Sequence, residues 1–344
     1  MITERFEAIA GAYGRLRVAV AGDFCLDRYL EIDPARAEVS IETNLPVHNI
    51  ASVRSQPGGA GTILNNLAAL GVGTIFPVGF HGADGEGYEL RRALSSLAGV
   101  RMDHLIEAPD RRTFTYCKPL VVEPGRAPRE LNRLDQKNWT PTPPALSARL
   151  GAAVADVVQN TDAIALLSQV DQPECGALTR PVLETVGDLI RARPGRLILA
   201  DSRRGLLGFP PVIFKMNAAE LSALTGMDSG ASLGTIMEAG ATLAHRNGQP
   251  VFITLAERGL VGASPDGRTE HVPAFPLRGE IDIVGAGDAV TANLTTALAA
   301  GASVREALEL ASAAASIVIH QLGTTGTASV GQIRELLFGA RGKA

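Results

Sequence analysis

The chain has little cysteine and no surplus of basic charge. Its three cysteines, Cys25, Cys117 and Cys175, lie far apart and form no CxxC pair. That spacing excludes a zinc framework or a disulfide-stapled fold and fits reduced thiols of a cytosolic protein. Six histidines are scattered without HExxH spacing, so the metalloprotease pattern is missing. The formal net charge of -4 argues against a nucleic-acid binder, whose footprint is a basic surplus. No stretch approaches the ~20 apolar residues of a membrane span. The opening segment MITERFEAIAGAYGRLRVAVAGD lacks the apolar core of a signal peptide. These absences lead us to expect a soluble, cytoplasmic protein with neither nucleic acid nor membrane as partner.

What is present is a large apolar inventory. Hydrophobic residues make up 46% of 344, enough for one sizeable α/β core. Strand-like runs at 15–23, 73–80, 162–170, 196–202, 212–217 and 250–256 alternate with helix-like segments such as 60–71 and 85–99. In 60–71, Ile63, Leu64, Leu67 and Leu70 recur at helical spacing, and Gly71 suits the cap. The alternation predicts an α/β fold: a mainly parallel central sheet with helices on both faces. Residues 28–56 and 112–134 break the rhythm with period-2 patterns and prolines. They predict a small antiparallel sheet, a lid, attached to a single domain over 1–344. TPTPP at 140–144 reads as a stiff connector, and Trp139 just before it as a packing residue.

In open α/β sheets, ligands bind beyond the carboxyl ends of the strands. The stretch DIVGAGDAV, 282–290, enters a helix that stops near Gly301. A Gly-Ala-Gly turn at a helix start points backbone N–H groups at one spot, where the macrodipole adds positive potential. Small residues let a phosphate approach closely. An acid there is odd unless it acts on an attacking hydroxyl while the N–H groups hold the transferring group. The plain alternative is that Asp288 is a first-turn acid favoured by the dipole. PGGAGTILNNLAALG, 57–71, is a second Gly-rich helix entry. It suits close approach of a small polar ligand, or simply a loop before a capped helix.

Taken together and in this order, PGGAGTILNNLAALG and DIVGAGDAVTANL resemble the two signatures of the ribokinase-like (PfkB) sugar kinases. The resemblance spans about residues 15–335 and includes VAVAGDFCLDRY, FKMNAAELSALTG and ITLAERGLVG. Within that family, GDFCLDRY, RRTFTYCK followed by LNRLDQ, and SIVIHQLGTTGTAS are similar to the heptose-phosphate kinase domain of ADP-heptose synthesis. EVSIETNLPV departs from that branch.

The resemblance implies roles. Asp288 would be the base, and Gly285, Ala286 and Gly287 would form the anion hole. Asp27, Gly58, Gly59, Thr62 and Asn66 would hold the sugar. Lys215, Asn217 and Glu220 would serve the ATP phosphates, with Glu220 reaching Mg2+ through water. Thr254, Arg258 and Gly259 would line the nucleotide site. Asp282, with the loop near Gly323, would lie by a K+ site of the kind seen in many members. A homodimer through the lid is implied as well.

Three positions depart from the family pattern: Thr62 stands where Asn is common, Ile283 where Thr is common, and Ala256 where Gly is usual. Asn217 followed three residues later by Glu220 also matches a capping box. Arg112, Lys118, Arg133, Arg203 and Arg204 fall in the lid segments or just after a central strand. One or more of them is expected at the acceptor site, selecting an anionic sugar.

The expected activity is therefore ATP-dependent phosphorylation of a hydroxyl on a sugar or sugar phosphate. Rival readings are a kinase for a nucleoside-like acceptor, a non-catalytic sugar or nucleotide sensor, and a nicotinamide-dependent oxidoreductase. The oxidoreductase is opposed by AGDFCLD standing where GxGxxG belongs.

Overall fold

The computed structural model describes residues 1–126, 128–228 and 230–339. Residue 127 of the expected lid segment and residues 340–344 of the expected domain lie outside the described residues.

The first strand, Arg17–Gly22, is central rather than peripheral. It pairs in parallel with Ala163–Ser168 on one side and Thr74–His81 on the other. The sheet continues through Leu197–Ser202, Ile213–Asn217 and Val251–Thr254 in one direction and Leu105–Glu107 in the other. An antiparallel hairpin, Leu260–Ala263 with Thr269–Val272, finishes one edge. Strand order thus reverses direction at Arg17–Gly22, which opens a crevice at the carboxyl ends of the neighbouring strands.

Period-2 alternation assigns each strand residue to one of two cores. Val18, Val20, Ala165 and Leu167 pack with helices Thr3–Ala10, Ala60–Ala69, Ala286–Ala299 and Val304–Val318. Ala19, Ala21, Ile164 and Leu166 pack with Pro144–Asn160, Arg180–Ala192 and Leu233–Asn247 on the other face. Helix Ala286–Ala299 is buried nearly all round. Its polar side chains bond mostly within the helix: Thr295, Thr296 and Asn293 donate to carbonyls four residues back, while Asn293 Oδ1 has no partner among the described residues.

The small sheet corrects the expectation of a purely antiparallel lid. Phe24–Ile32 pairs antiparallel with Ile50–Gly59 but parallel with Phe114–Val121, and short Arg129–Glu130 completes the order. Alternating polarity reports which face is buried and says nothing of strand direction. The sheet also begins earlier than 28, since only Asp23 separates Phe24–Ile32 from the central strand. Glu38–Val39 and Pro46–Val47 form a separate two-stranded ribbon. Ile41, at 98% exposure, and Leu45 sit exposed between them. Trp139 is 71% exposed, so it is not a packing residue.

Candidate active site

Gly285 takes the left-handed conformation (φ 84°) and is the N-cap of Ala286–Ala299, with no side chain capping the first turn. A helix start without such a cap leaves N–H donors for a ligand. Asp288, in that first turn, lines a cavity of about 240 Å³ together with Asp27, Thr62, Lys118, Arg133 and Arg203. Burial pushes the Asp288 carboxyl up to about 7; Asp201 and Asp27 add to the rise, and Lys215 opposes it. A carboxylate poised near neutrality suits general-base work.

Beneath the turn lies an ion pair. Lys215 Nζ, from the strand Ile213–Asn217, donates to Asp201 Oδ2 at 2.6 Å, and Thr291 Oγ1 donates to the same oxygen at 2.9 Å. Burial works against the Lys215 charge, yet Asp201 holds its ammonium above the usual lysine range. A Cβ at Gly287 would stand 3.2 Å from that ammonium, so the cation lies directly under the Gly285–Gly287 turn.

Asp27 projects from the small sheet. Burial raises its carboxyl, partly offset by Lys118 and Arg133. An added Cβ at Gly58 would come within 2.7 Å of the Asp27 carboxyl, so a larger residue there would push that acid aside. Asp23 is a different kind of acid. It is buried and accepts the backbone N–H groups of Gln169, Val170 and Ala177 at 2.8, 3.0 and 2.6 Å. It joins the carboxyl end of the first strand to the loop after Ala163–Ser168.

Other expected residues fall outside the cavity. Asn66 lies one turn deeper than Thr62 on the same helix, fully buried, donating to Thr62 O at 3.0 Å and Gly326 O at 3.4 Å. Helical pitch carries it away from the wall that Thr62 lines. Asn217 and Glu220 form a complete capping box on Ala218–Thr225. Burial, the largest influence, raises the Glu220 carboxyl.

Thr254 donates to Met216 O at 3.5 Å, and Arg258 Nη1 donates to Ala231 O at 3.1 Å. Gly259 (φ 91°) has no room for a Cβ beside Val272 O, while Ala256 holds φ 50° where glycine is usual. Asp282 accepts Val284 N at 3.0 Å and Gly323 N at 3.3 Å.

Of the five basic candidates, Lys118, Arg133 and Arg203 line the cavity; Arg112 and Arg204 do not. Lys118 sits over the Tyr29 ring and Arg133 over the Tyr116 ring, at 5.0 and 5.1 Å, an arrangement that steadies cations. Asp201, in ADSRRG after a strand-like run, reads from sequence equally as a cleft acid or part of a surface charge cluster, and Tyr116, Gln169, Thr291 and Thr325 were given no place. The signal for Asp201 was its position at the end of a central strand. Tyr116, Thr291 and Thr325 lie within the family-like stretches RRTFTYCK, DIVGAGDAVTANL and SIVIHQLGTTGTAS but had no individual role there, and Gln169 carried no signal.

Residues 24–330 match the pfkB family carbohydrate kinase model. The chain belongs to this family of sugar kinases, and its fold is ribokinase-like. It is 30% identical to the bifunctional protein HldE of Bradyrhizobium sp. (strain ORS 278) over 334 residues, covering 96% of this chain and 66% of that protein. It is 31% identical to HldE of Granulibacter bethesdensis, covering 94% of this chain and 65% of that one. The chain therefore spans less than two thirds of the length of these relatives. Among solved structures, Arabidopsis thaliana ribokinase complexed with ribose and ATP superposes with a TM-score of 0.68 at 21% identity, covering 94% and 99% of the two chains. Escherichia coli phosphofructokinase-2 in complex with fructose-6-phosphate gives 0.66 at 18% identity, covering 93% and 98%. No helix among the described residues is long and apolar enough to cross a membrane.

Proposed function

We propose that this sugar kinase uses ATP to phosphorylate a hydroxyl of a sugar phosphate, with a heptose phosphate as the leading acceptor. The observation that carries the acceptor's charge is the cavity itself, where Lys118, Arg133 and Arg203 share one space with Asp27 and Asp288. Arg133 and Arg203 are each paired with a carboxylate, Asp135 and Asp171, and a phosphate on the acceptor adds a partner for Lys118 that a neutral sugar does not supply. The heptose is suggested by the HldE relatives. One kinase domain holds the whole site.

In the reaction, Asp27 orients the sugar by accepting from its hydroxyls. Asp288 takes the proton of the attacking hydroxyl as the phosphoryl group leaves ATP. The N–H groups at Gly285, Ala286 and Gly287 receive the charge that develops on the transferring oxygens. Lys215, held on Asp201, adds a fixed positive charge below them. Asn217 and Glu220 face the phosphates from the next strand end, and Thr254, Arg258 and Gly259 border the base. The small sheet serves as a lid that keeps water from accepting the phosphoryl group.

Mg2+ fits this donor set. Among the described residues no three His, Cys, Asp or Glu side chains cluster as a cage, and Mg2+ favours phosphates and water with one or two carboxylates. Bound with ATP, it would neutralise phosphate charge, with Glu220 placed to hold its water shell. Asp282 accepts one N–H group on each carboxylate oxygen, which leaves lone pairs that could face K+, and no step runs through that ion. The exposed ribbon at Val39, Ile41 and Leu45 and the lid strand at Ile50 and Val53 support pairing with a second copy.

The test is a screen with MgATP and mass spectrometry across D-sedoheptulose 7-phosphate, other heptose phosphates, fructose 6-phosphate and their unphosphorylated sugars. Turnover confined to phosphorylated sugars is expected. Equal turnover of neutral sugars would overturn the acceptor assignment.

A further inference from the structure

The loop 322–326 belongs to neither the lid nor the anion-binding turn, yet it is bonded to both. From the lid strand Ile50–Gly59, Gln56 Nε2 donates to Thr325 Oγ1 at 2.7 Å. Thr324 Oγ1 donates back to Gln56 Oε1 at 2.8 Å. Arg54 Nη2, two residues earlier, donates to Gly323 O at 3.3 Å. From the other side, Gly323 N donates to Asp282, and the backbone and side chain of Thr325 pack against Gly285, where an added Cβ would meet them at 3.3–3.4 Å. Asn66 holds the loop's far end at Gly326 O.

Gln56 is register partner to Asp27, so both side chains leave the lid on the same face. One reaches the acceptor cavity, and the other reaches the residue packed on the anion-binding turn. Thr325 is buried and lines the same cavity. A lid that lifts must break both Gln56 bonds and the Arg54 bond, which removes the lid's hold on Thr325 and leaves the loop tied from the other side through Gly323 and Gly326.

We propose that Gln56 is a positioning residue: through Thr324 and Thr325 it makes the geometry of the Gly285–Gly287 turn depend on the lid being down. With the lid down, the turn is braced and its N–H groups converge. With the lid up, the brace is lost and bound ATP is not presented to water. The proposal rests on the kinase reading for its consequence in turnover. Its structural half stands apart from that reading and is measured without any substrate.

The experiment uses the full chain and two readouts. The first is amide hydrogen exchange in the peptide spanning 282–288, with no ligand added. The second is steady-state kinetics with MgATP and D-sedoheptulose 7-phosphate. Gln56→Ala should speed exchange in 282–288 by about tenfold, the size expected when one or two partly buried hydrogen bonds are lost. Exchange in the strand Ala163–Ser168 should not change. In turnover, kcat should fall by a similar factor while the acceptor KM stays within about threefold. Thr325→Val should reproduce the effect, Thr325→Ser should not, and Gln56→Ala with Thr325→Val together should be no worse than either alone.

Unchanged exchange in Gln56→Ala overturns the proposal. So does additivity in the double variant, a loss confined to KM, or a Thr325→Ser variant as loose as Thr325→Val. The two threonine variants carry the test if Gln56→Ala does not fold. If the probe sugar is not turned over, the acceptor reading fails while the exchange result still decides for or against the brace.

Discussion

Two glycine-rich turns enter helices in this chain, and they do opposite things with similar residues. At Gly58–Gly59 the space a side chain would occupy is filled by the protein itself: the Asp27 carboxyl presses on Gly58 and the carbonyl of Asp23 on Gly59. At Gly285–Gly287 no side chain caps the helix, and the nearest obstacles are Thr325 and the Lys215 ammonium, both beyond 3 Å. The first turn uses small residues to bring an acid close to the backbone. The second uses them to keep N–H donors open. Glycine in a turn therefore signals close approach, and the neighbours decide whether a ligand or the chain makes it.

The largest expected effect is at the acid of the second turn. Asp288→Asn keeps the size but cannot take a proton, so kcat should fall by ~10²–10⁴, as for loss of a general base, with ATP binding retained in calorimetry. The wild-type acidic limb of kcat/KM should sit near pH 7, where the Asp288 carboxyl titrates, and should vanish in the variant.

A carboxyl raised from 3.8 to about 7 contributes stability that is complete below about pH 4 and is lost as pH rises through about 7. Asp288→Asn should thus gain on wild type in urea melts at pH 8 and show little advantage at pH 4.

Next come the glycines. Gly285→Ala forces an ordinary residue into the left-handed region, at ~1–2 kcal/mol, and displaces the anion-binding turn. A kcat loss of about 10²-fold is expected, as for removal of one such donor. Gly58→Ala should instead push on Asp27 and raise the acceptor KM by about tenfold, equal to ~1.4 kcal/mol, with smaller change in kcat. If both variants lose kcat alike, the contrast between the turns is wrong. Lys118→Ala should weaken a phosphorylated acceptor by ~1.5–3 kcal/mol, the value of a charged hydrogen bond, and leave a neutral sugar untouched. Smallest of all, Glu220→Ala should lower stability by ~0.5–2 kcal/mol as a capping box is lost, read by thermal melting.

The sequence shows the alternation of strands and helices, and with it the mainly parallel sheet, because burial on both faces leaves continuous apolar runs. It shows Asp288 and its turn because an acid beside three small residues at a helix start is unusual. Direction within the lid was hidden, since a period-2 pattern looks the same in parallel and antiparallel pairs. The brace at Gln56 was hidden too, because its partners lie 268 and 269 residues away and glutamine has no distinctive spacing. Lys215 was legible as part of a motif, but its tie to Asp201 appears only when two neighbouring strands bring their ends together.

Asp23 has one more consequence, and it concerns the order of folding. Its carboxylate binds N–H groups 146, 147 and 154 residues further along the chain, and the strand it ends is flanked by a strand equally distant. Closing so long a loop costs entropy before any contact offsets it. The floor of the catalytic crevice therefore closes only once the middle of the chain has been made and has docked beside its beginning. A nascent chain stopped before residue 163 holds Asp27 and both glycines of the first turn, yet it lacks the seam against which they are aligned.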